Sequence, residues 1–514
     1  MYRRHDFEQT RLAIPFGVAL NPESKWIKLS ELMPWKEIEA EYAQQFKGTD
    51  GQIAKSSRLA FSALYIQTSE GFTDVQTRTH IMENPHMQYF CGFGEYSIEP
   101  PFDASLMVHF RKRISKEMIN HINEMYFGPE ALNSQDAPEP DVQEAHKPVK
   151  SVAQQADNTS DAAVPAKEDV QNTSEPKDEW LNRGTLILDA TCCPQDIHYP
   201  TDVGLLNQSR EISENVIDAL YKTVTDQYSY KPRTYREVAR KDFLAFTKSR
   251  NHTASISRKA IRKQLNYLER DQRTVENLLE NGAQMSALDT ELYRKWLVTQ
   301  EVLRQQQEMY NNKTHHVKGR IVSISQPWIR PIVRGKEGTP VEFGAKVALG
   351  LVGGYSFITD LSWENTPEAS LLPQAADQYL ALFGFYPKVI LGDRAYPTRK
   401  NRDWCKQRGI RLSGPKLGRK KIECETEDAK QLYQDSCARI PIEGAFGVVK
   451  RKLGLDRIMT KKMNTSLTSI SMGFFTANME RKLRVLFMPF SNSYIVYDLD
   501  LSSLVLCYAD EVIQ

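Results

Sequence analysis

The sequence predicts an α/β protein: a mixed sheet with flanking helices, a large helical insertion within it, and an all-helical N-terminal domain before it. Three observations carry this reading. Short apolar runs of strand type surround one amphipathic helical stretch at Glu368 to Phe383. A charged block, Ser209 to Asn312, has helical periodicity throughout. From Gly128 to Glu179 the chain has no Phe, Tyr or Trp.

Taken in order, residues 1–128 hold helical patterns at Trp35 to Phe46, Lys55 to Thr68 and Ser105 to Phe127. The last begins at a capping sequence, Asp103-Ala104-Ser105, and carries Arg111-Lys112-Arg113, a basic face that suits a phosphate backbone. Residues 129–179 recur in Pro, Ala, Gln, Asp, Glu and Ser and bury too little to offset chain entropy, which predicts a disordered linker.

Residues 180–487 form the expected sheet domain. Its first strand is Thr185 to Asp189, and the insertion, 208–315, follows. Further strands are expected at Arg320 to Ser325, Val341 to Gly350, Tyr355 to Leu361 and Lys388 to Asp393, with Gly353-Gly354 as a hairpin turn. A basic loop is expected at Arg399 to Lys421, and helices at Pro441 to Leu453 and Asn464 to Phe487. Residues 488–514 form a tail to which the pattern assigns no element.

The totals narrow the function classes. The 514 residues are 40% hydrophobic and 26% charged, a soluble globular composition. The N-terminus is charged and no 18-residue apolar segment follows, so neither export nor a membrane anchor is expected; scattered cysteines without CxxC spacing fit a reducing cytoplasm. Net charge is only +2, so any nucleic-acid surface must come from clustering. Residues 231–265 hold eleven Lys or Arg against Glu237 and Asp242, and 399–421 hold ten against Asp403. Both suit phosphate contacts.

Two strands close on a carboxylate, at Asp189 and Asp393, and Glu443 follows on a helix. Pro441 suits a first turn, so that helix is expected to start near Ile440. Ile442, Phe446, Val449 and Leu453 then form one apolar stripe, with Glu443 and Lys450 along its edge, next to the sheet and out of solvent. Three rigidly placed acids suit a hard divalent cation and phosphodiester chemistry. Asp196, Asp202, Asp360 and Glu364 are weaker candidates near the expected strands.

Arg439, Glu443 and Lys450 match the R-x3-E-x6-K part of a signature, and the chain here resembles bacterial insertion-sequence transposases of the DDE class. The blocks Leu188 to Asp202, Gln326 to Lys336, Val341 to Lys346 and Gly392 to Tyr396 are similar to the same family. The full signature has Tyr three residues before the Arg, where this chain has Ser436; Tyr433 is at the wrong spacing. The resemblance implies an RNase H-like core and metal-dependent cleavage at terminal inverted repeats, then strand transfer into target DNA. It further implies that Asp189, Asp393 and Glu443 are catalytic and hold two Mg²⁺ ions, with Mn²⁺ as a substitute. Arg439 and Lys450 would contact the DNA, and the N-terminal domain would help to recognise the transposon ends. Double-stranded DNA is the implied partner, a homodimer the implied assembly and the bacterial nucleoid the implied place. A nuclease of the same fold that does not join strands, or a transposase-derived DNA-binding protein without catalysis, is the alternative.

Overall fold

The structure is a computed structural model that describes residues 19–46, 53–135, 182–333, 341–415 and 425–487. The tail at 488–514 and the linker from residue 136 onward lie outside the described residues.

Seven helices come first: α1 (Lys25–Leu32), α2 (Trp35–Ala43), α3 (Ser57–Glu70), α4 (Asp74–Glu83), α5 (Pro85–Phe90), α6 (Leu106–Arg113) and α7 (Lys116–Gln135). Local chemistry sets their ends. The Ser56 hydroxyl accepts from the Leu59 N–H to start α3, and Gly71, at φ 71°, ends it. The helical stretch expected over Ser105 to Phe127 is two helices, divided at Ile114 and Ser115. The second runs on through Pro129 to Gln135, past the residue at which the composition changes.

The remaining elements are β1 (Thr185–Pro194), the insertion helices α8 (Asp202–Tyr221), α9 (Arg236–Lys248), α10 (Ala254–Glu280) and α11 (Thr290–Asn312), then β2 (Arg330–Val333), β3 (Val341–Val352), β4 (Tyr355–Ser362), α12 (Glu368–Phe383), β5 (Val389–Leu391), α13 (Arg399–Gln407), β6 (Arg411–Leu412), α14 (Glu425–Arg451) and α15 (Met463–Phe487). Among the described residues the sheet runs β2-β3-β1-β5-β6, with β4 also paired to β3. β1 is antiparallel to β3 and parallel to β5, which makes the sheet mixed. The insertion lies in the chain between β1 and β2, which are not neighbours as expected but flank β3 in the sheet.

Four expectations fail in detail. The first strand does not end at Asp189 but runs on to Pro194, paired with β3 throughout that stretch. Arg320 to Ser325 forms no strand. The basic stretch from Arg399 is not a loop, since its described part holds α13 and β6. Helix α14 does not start near Ile440 but fifteen residues earlier, at Glu425, and keeps Pro441 in its interior. An interior proline costs on the order of 3 kcal/mol. Both halves are anchored: Arg411 of β6 grips Asp435 through two hydrogen bonds of 2.7 and 2.8 Å, and Ile442, Phe446 and Val449 are buried against the sheet.

Each sheet face is covered. On one side, α3, α7 and α15 meet the β3-β4 hairpin, where Phe127 stacks on Tyr355 and meets Phe475 edge-on. Gly353 and Gly354 turn that hairpin at φ 55° and 81°, values that L side chains rarely adopt. The N-terminal helices and the sheet thus share one core. On the other side, α14 supplies Ile442, Phe446 and Val449, and Leu453, just past its end, continues the stripe that the sequence predicts.

Candidate active site and nucleic-acid interface

The strand register sets two of the acids side by side. In the parallel pair β1-β5, Ile187 lies opposite Leu391. Asp189 and Asp393 each follow two residues later, Asp189 inside β1, which runs on to Pro194, and Asp393 just past the end of β5, close enough for its charge to act on Asp189. Open α/β sheets bind ligands beyond the carboxyl ends of their parallel strands, and β5 ends here. The loop after β5 is held by Asp393 itself, whose carboxylate accepts from the Ala395 N–H at 2.7 Å. The Tyr396 ring fills the space where a Cβ on Gly392 would lie, and Tyr396 is buried.

Asp189 is short of positive charge. Its side chain is 18% exposed, and burial, the largest cause, with the nearby Asp393 and Glu368 charges, pushes its carboxyl up to about 6. The Ala190 N–H, which donates to it at 2.7 Å, and Arg439 oppose that rise.

Arg439 lies between two of the candidate acids. One guanidinium nitrogen is 3.5 Å from Asp189 Oδ2 and another 3.4 Å from Glu443 Oε1. The continuity of α14 through Pro441 puts Arg439 one turn before Glu443, on its edge of the helix. Glu443 does not sit out of solvent as expected: its side chain is 63% exposed. Lys450 is half-buried two turns further along the same helix.

All three candidates offer oxygen, the donor that a hard divalent cation prefers. Asp189 and Asp393 fit such an ion, which would supply the charge that the buried Asp189 lacks. Glu443 is held off by Arg439, and among the described residues no three His, Cys, Asp or Glu side chains stand close enough together to hold a metal.

The weaker candidates have other partners. Asp196 is clamped by Arg457 and Lys461 at 2.7 and 2.8 Å, and Asp202 pairs with Arg320 at 2.7 Å. Glu364 is 70% exposed near Arg330, and Asp360 lies on β4 opposite Ala348. Sequence reasoning missed Glu368, in the first turn of α12, which pairs with the buried Lys346 at 3.0 Å and whose charge reaches Asp189. A buried lysine on a strand opposite an acid that opens the next helix is non-local, and no spacing rule reveals it.

The basic segments divide into paired and unpaired cations. Within 231–265, Lys231 and Arg236 pair with Asp218, Lys263 pairs with Asp242, and Arg258 stacks on Tyr310. Arg233, Arg240, Lys241, Lys248, Lys259 and Arg262 are exposed and form no ion pair among the described residues. On α6 the three-cation face shrinks to one. Arg111 is buried against Asp74 and Gln67, and Arg113 lies over the Phe46 ring, which leaves Lys112 exposed.

Residues 390–480 match the family model described as transposase DDE domain, and residues 17–113 match the transposase domain DUF772. The first match starts within β5 and spans Asp393, Arg439, Glu443 and Lys450. A relative from Rhizobium meliloti, named "Uncharacterized protein ORF8 in nfe locus", is 28% identical over 103 residues. That alignment takes in 20% of this chain and 49% of the relative, so the chain spans about half the length of the curated relative it matches. No solved structure matches the chain. No helix among the described residues is long and apolar enough to cross a membrane.

Proposed function

We propose, for a chain that its two family matches assign to the insertion-sequence transposases of the DDE class, that it cuts DNA at transposon terminal inverted repeats and transfers the freed strand into target DNA. The observation that carries this reading is the pair formed by Asp189, within β1, and Asp393, just past the end of the adjacent parallel strand β5, with Arg439 reaching from α14 towards Asp189. The mixed sheet, with its acids on β1, after β5 and on α14, is in this reading an RNase H-like core. Divalent metals serve this family generally, and two Mg²⁺ ions, with Mn²⁺ as a substitute, would activate the attacking oxygen and stabilise the departing 3′-oxygen.

The chain's own groups have the following roles. Asp189 and Asp393 hold the metals on a rigid strand pair. Glu443 completes the set once Arg439 turns from the carboxylates to a phosphate oxygen, an exchange that suits a guanidinium held by long contacts of 3.4 and 3.5 Å. Lys450 contacts the same strand two turns further along α14. The exposed cations of α9 and α10 grip the backbone, and the N-terminal helices take part in end recognition. Duplex DNA is the partner, two copies hold two ends, and the place is the bacterial cytoplasm at the nucleoid.

The test is metal-dependent cleavage of a duplex carrying the inverted repeat, with wild type, Asp189→Asn, Asp393→Asn and Glu443→Gln. Each substitution is expected to abolish cleavage while DNA binding persists. No covalent intermediate is required, so Cys192→Ala, in a buried strand position, should leave cleavage intact if the variant folds. One observation favours a second reading, DNA binding without catalysis: Glu443 stands apart from the two aspartates. Tight binding by a wild type that never cleaves would select it, and cleavage without joining would select a nuclease.

A further inference from the structure

Beyond the carboxylates, β1 leads into a second cavity, of about 450 Å³, between residues 196–205, the segment 322–326 and the stretch 457–461. At roughly 3.3 Å per residue, the seven residues from Asp189 to Asp196 span about 20 Å, so the two sites are separate. Four features of the cavity converge on one ligand chemistry.

The Tyr199 side chain stands at the cavity wall with its residue 72% exposed. It meets the Phe343 ring edge-on, with centroids 5.5 Å apart and planes at 87°, which leaves a ring face open. Opposite in chemistry are Arg457 and Lys461, 70% and 57% exposed, which share Asp196 as their carboxylate. Two cations on one acid leave one positive charge, and each keeps N–H groups to spare. Gln326 also lines the cavity. It is 2% exposed, and its Oε1 has no hydrogen-bond partner among the described residues, a cost that a ligand N–H would remove. The Ser323 hydroxyl adds a further polar group to the same wall.

An aromatic face, spare cationic donors and a buried free acceptor in a cavity of this size suit a flat base joined to a phosphate. We propose that this cavity takes a single unstacked nucleotide of a DNA strand. The base lies on Tyr199, the amide oxygen of Gln326 accepts from a base N–H, and the phosphate lies against Arg457 and Lys461. Asp202, near the start of α8, does not oppose the anion, because Arg320 and Gln306 already hold its carboxylate.

The inference rests on the DNA reading above, and its test separates the two. Binding of the full chain is measured at one ionic strength for a paired duplex, for the same duplex with one unpaired thymidine, and for thymidine monophosphate. The wild type is expected to prefer the unpaired site about tenfold, the worth of one base stacked on an aromatic ring. Tyr199→Ala should remove that preference without weakening the paired duplex, while Tyr199→Trp should keep it. Tyr199 is exposed, so neither change endangers folding. Equal binding of the two duplexes by the wild type, or a preference that survives Tyr199→Ala, overturns the pocket and leaves the proposed function standing. Failure to bind either duplex, with thymidine monophosphate bound in a Tyr199-dependent way, overturns a DNA strand as the source of the nucleotide, and the proposed function with it. Failure of all three ligands overturns both.

Discussion

Around the sheet, the rings of Phe61, Phe127, Tyr355 and Phe475 interlock, whereas between α8, α10 and α11 the interior holds Ser209, Ser213, Asp271 and Thr299. The difference extends to hydrogen bonds. Behind the sheet, the buried Asn478 side chain donates to Asn123 and to the Ser356 carbonyl and accepts from the Ser356 N–H, all at 2.8 to 2.9 Å. In the insertion, both Asp271 oxygens and the hydroxyls of Ser209, Ser213 and Thr299 have no partner among the described residues. Buried polar atoms without partners cost about 1–3 kcal/mol each; the sheet side has such hydroxyls too, at Tyr65, Ser471 and Thr476, and what sets the insertion apart is the Asp271 carboxylate. The apolar one fixes strand positions and with them Asp189 and Asp393. The insertion, where the unpartnered Asp271 carboxylate lies beside leucine clusters, is expected to open first.

The largest effect is expected where the apolar interior is emptied. Phe475 is fully buried against Phe61 and Phe127 at 5.4 and 5.9 Å, and Phe475→Ala should cost about 3–5 kcal/mol in urea unfolding. A loss under about 1 kcal/mol would break the comparison, since the sheet side would then be as loosely built as the insertion.

In the insertion the sign reverses. Burial, then the Glu214 charge, pushes the Asp271 carboxyl up to about 7, against the pull of Arg210, Arg270 and Arg236. The unfolded chain ionises this group at 3.8, so below that pH both states keep the proton and nothing is lost. As pH rises from there towards 7, only the unfolded state ionises and stability falls; above 7 the loss is complete. At about 1.4 kcal/mol per pKa unit the bound is about 4 kcal/mol, and relaxation of the three arginines should leave about half. Asp271→Asn is therefore expected to stabilise the protein at pH 8 and to change nothing at pH 3.5. Equal stabilities at pH 8 would mean that the carboxylate has found partners.

A smaller effect checks the satisfied network. Asn478→Ala removes the partner of the Ser356 N–H and of the Asn123 amide, and a destabilisation of about 1–3 kcal/mol is expected at any pH from 4 to 8. The absence of a pH slope separates it from Asp271→Asn.

The same contrast explains what the sequence discloses. Helix α12 is legible at both ends, Glu368 and Phe383, and so are the hairpin at Gly353-Gly354 and the stripe of α14, because each is written in local spacing. The first half of α14 is not, since a proline at 441 reads as a helix start and the preceding turns are held from distant strands, by Arg411 on Asp435 and by Asp189 near Arg439. Site geometry was legible only in part. Asp189 and Asp393 each close a recognisable apolar run, though β1 continues past Asp189 to Pro194, and their adjacency depends on a parallel register that no local pattern carries. The exposure of Glu443 and the bridging position of Arg439 follow from that long helix. Asp271 is illegible for the opposite reason: among the charges of α10 a buried carboxylate looks like any solvated one.

The smallest effect belongs to the insertion's outer surface. Lys259 and Arg262 point away from the polar interior and have no ion-pair partner among the described residues, so replacing either with Gln disturbs no internal contact. If each neutralises one DNA phosphate, its removal should lower the slope of log affinity against log salt concentration by about 1, with equal loss on unrelated sequences. Lys263→Gln is the control on the same helix, because its charge is already spent on Asp242 at 2.9 Å and it should change the slope less. A Lys263 effect as large as that of Arg262 would show that DNA competes for the paired cations too, and the line between structural and DNA-facing charges on α10 would have to move inward.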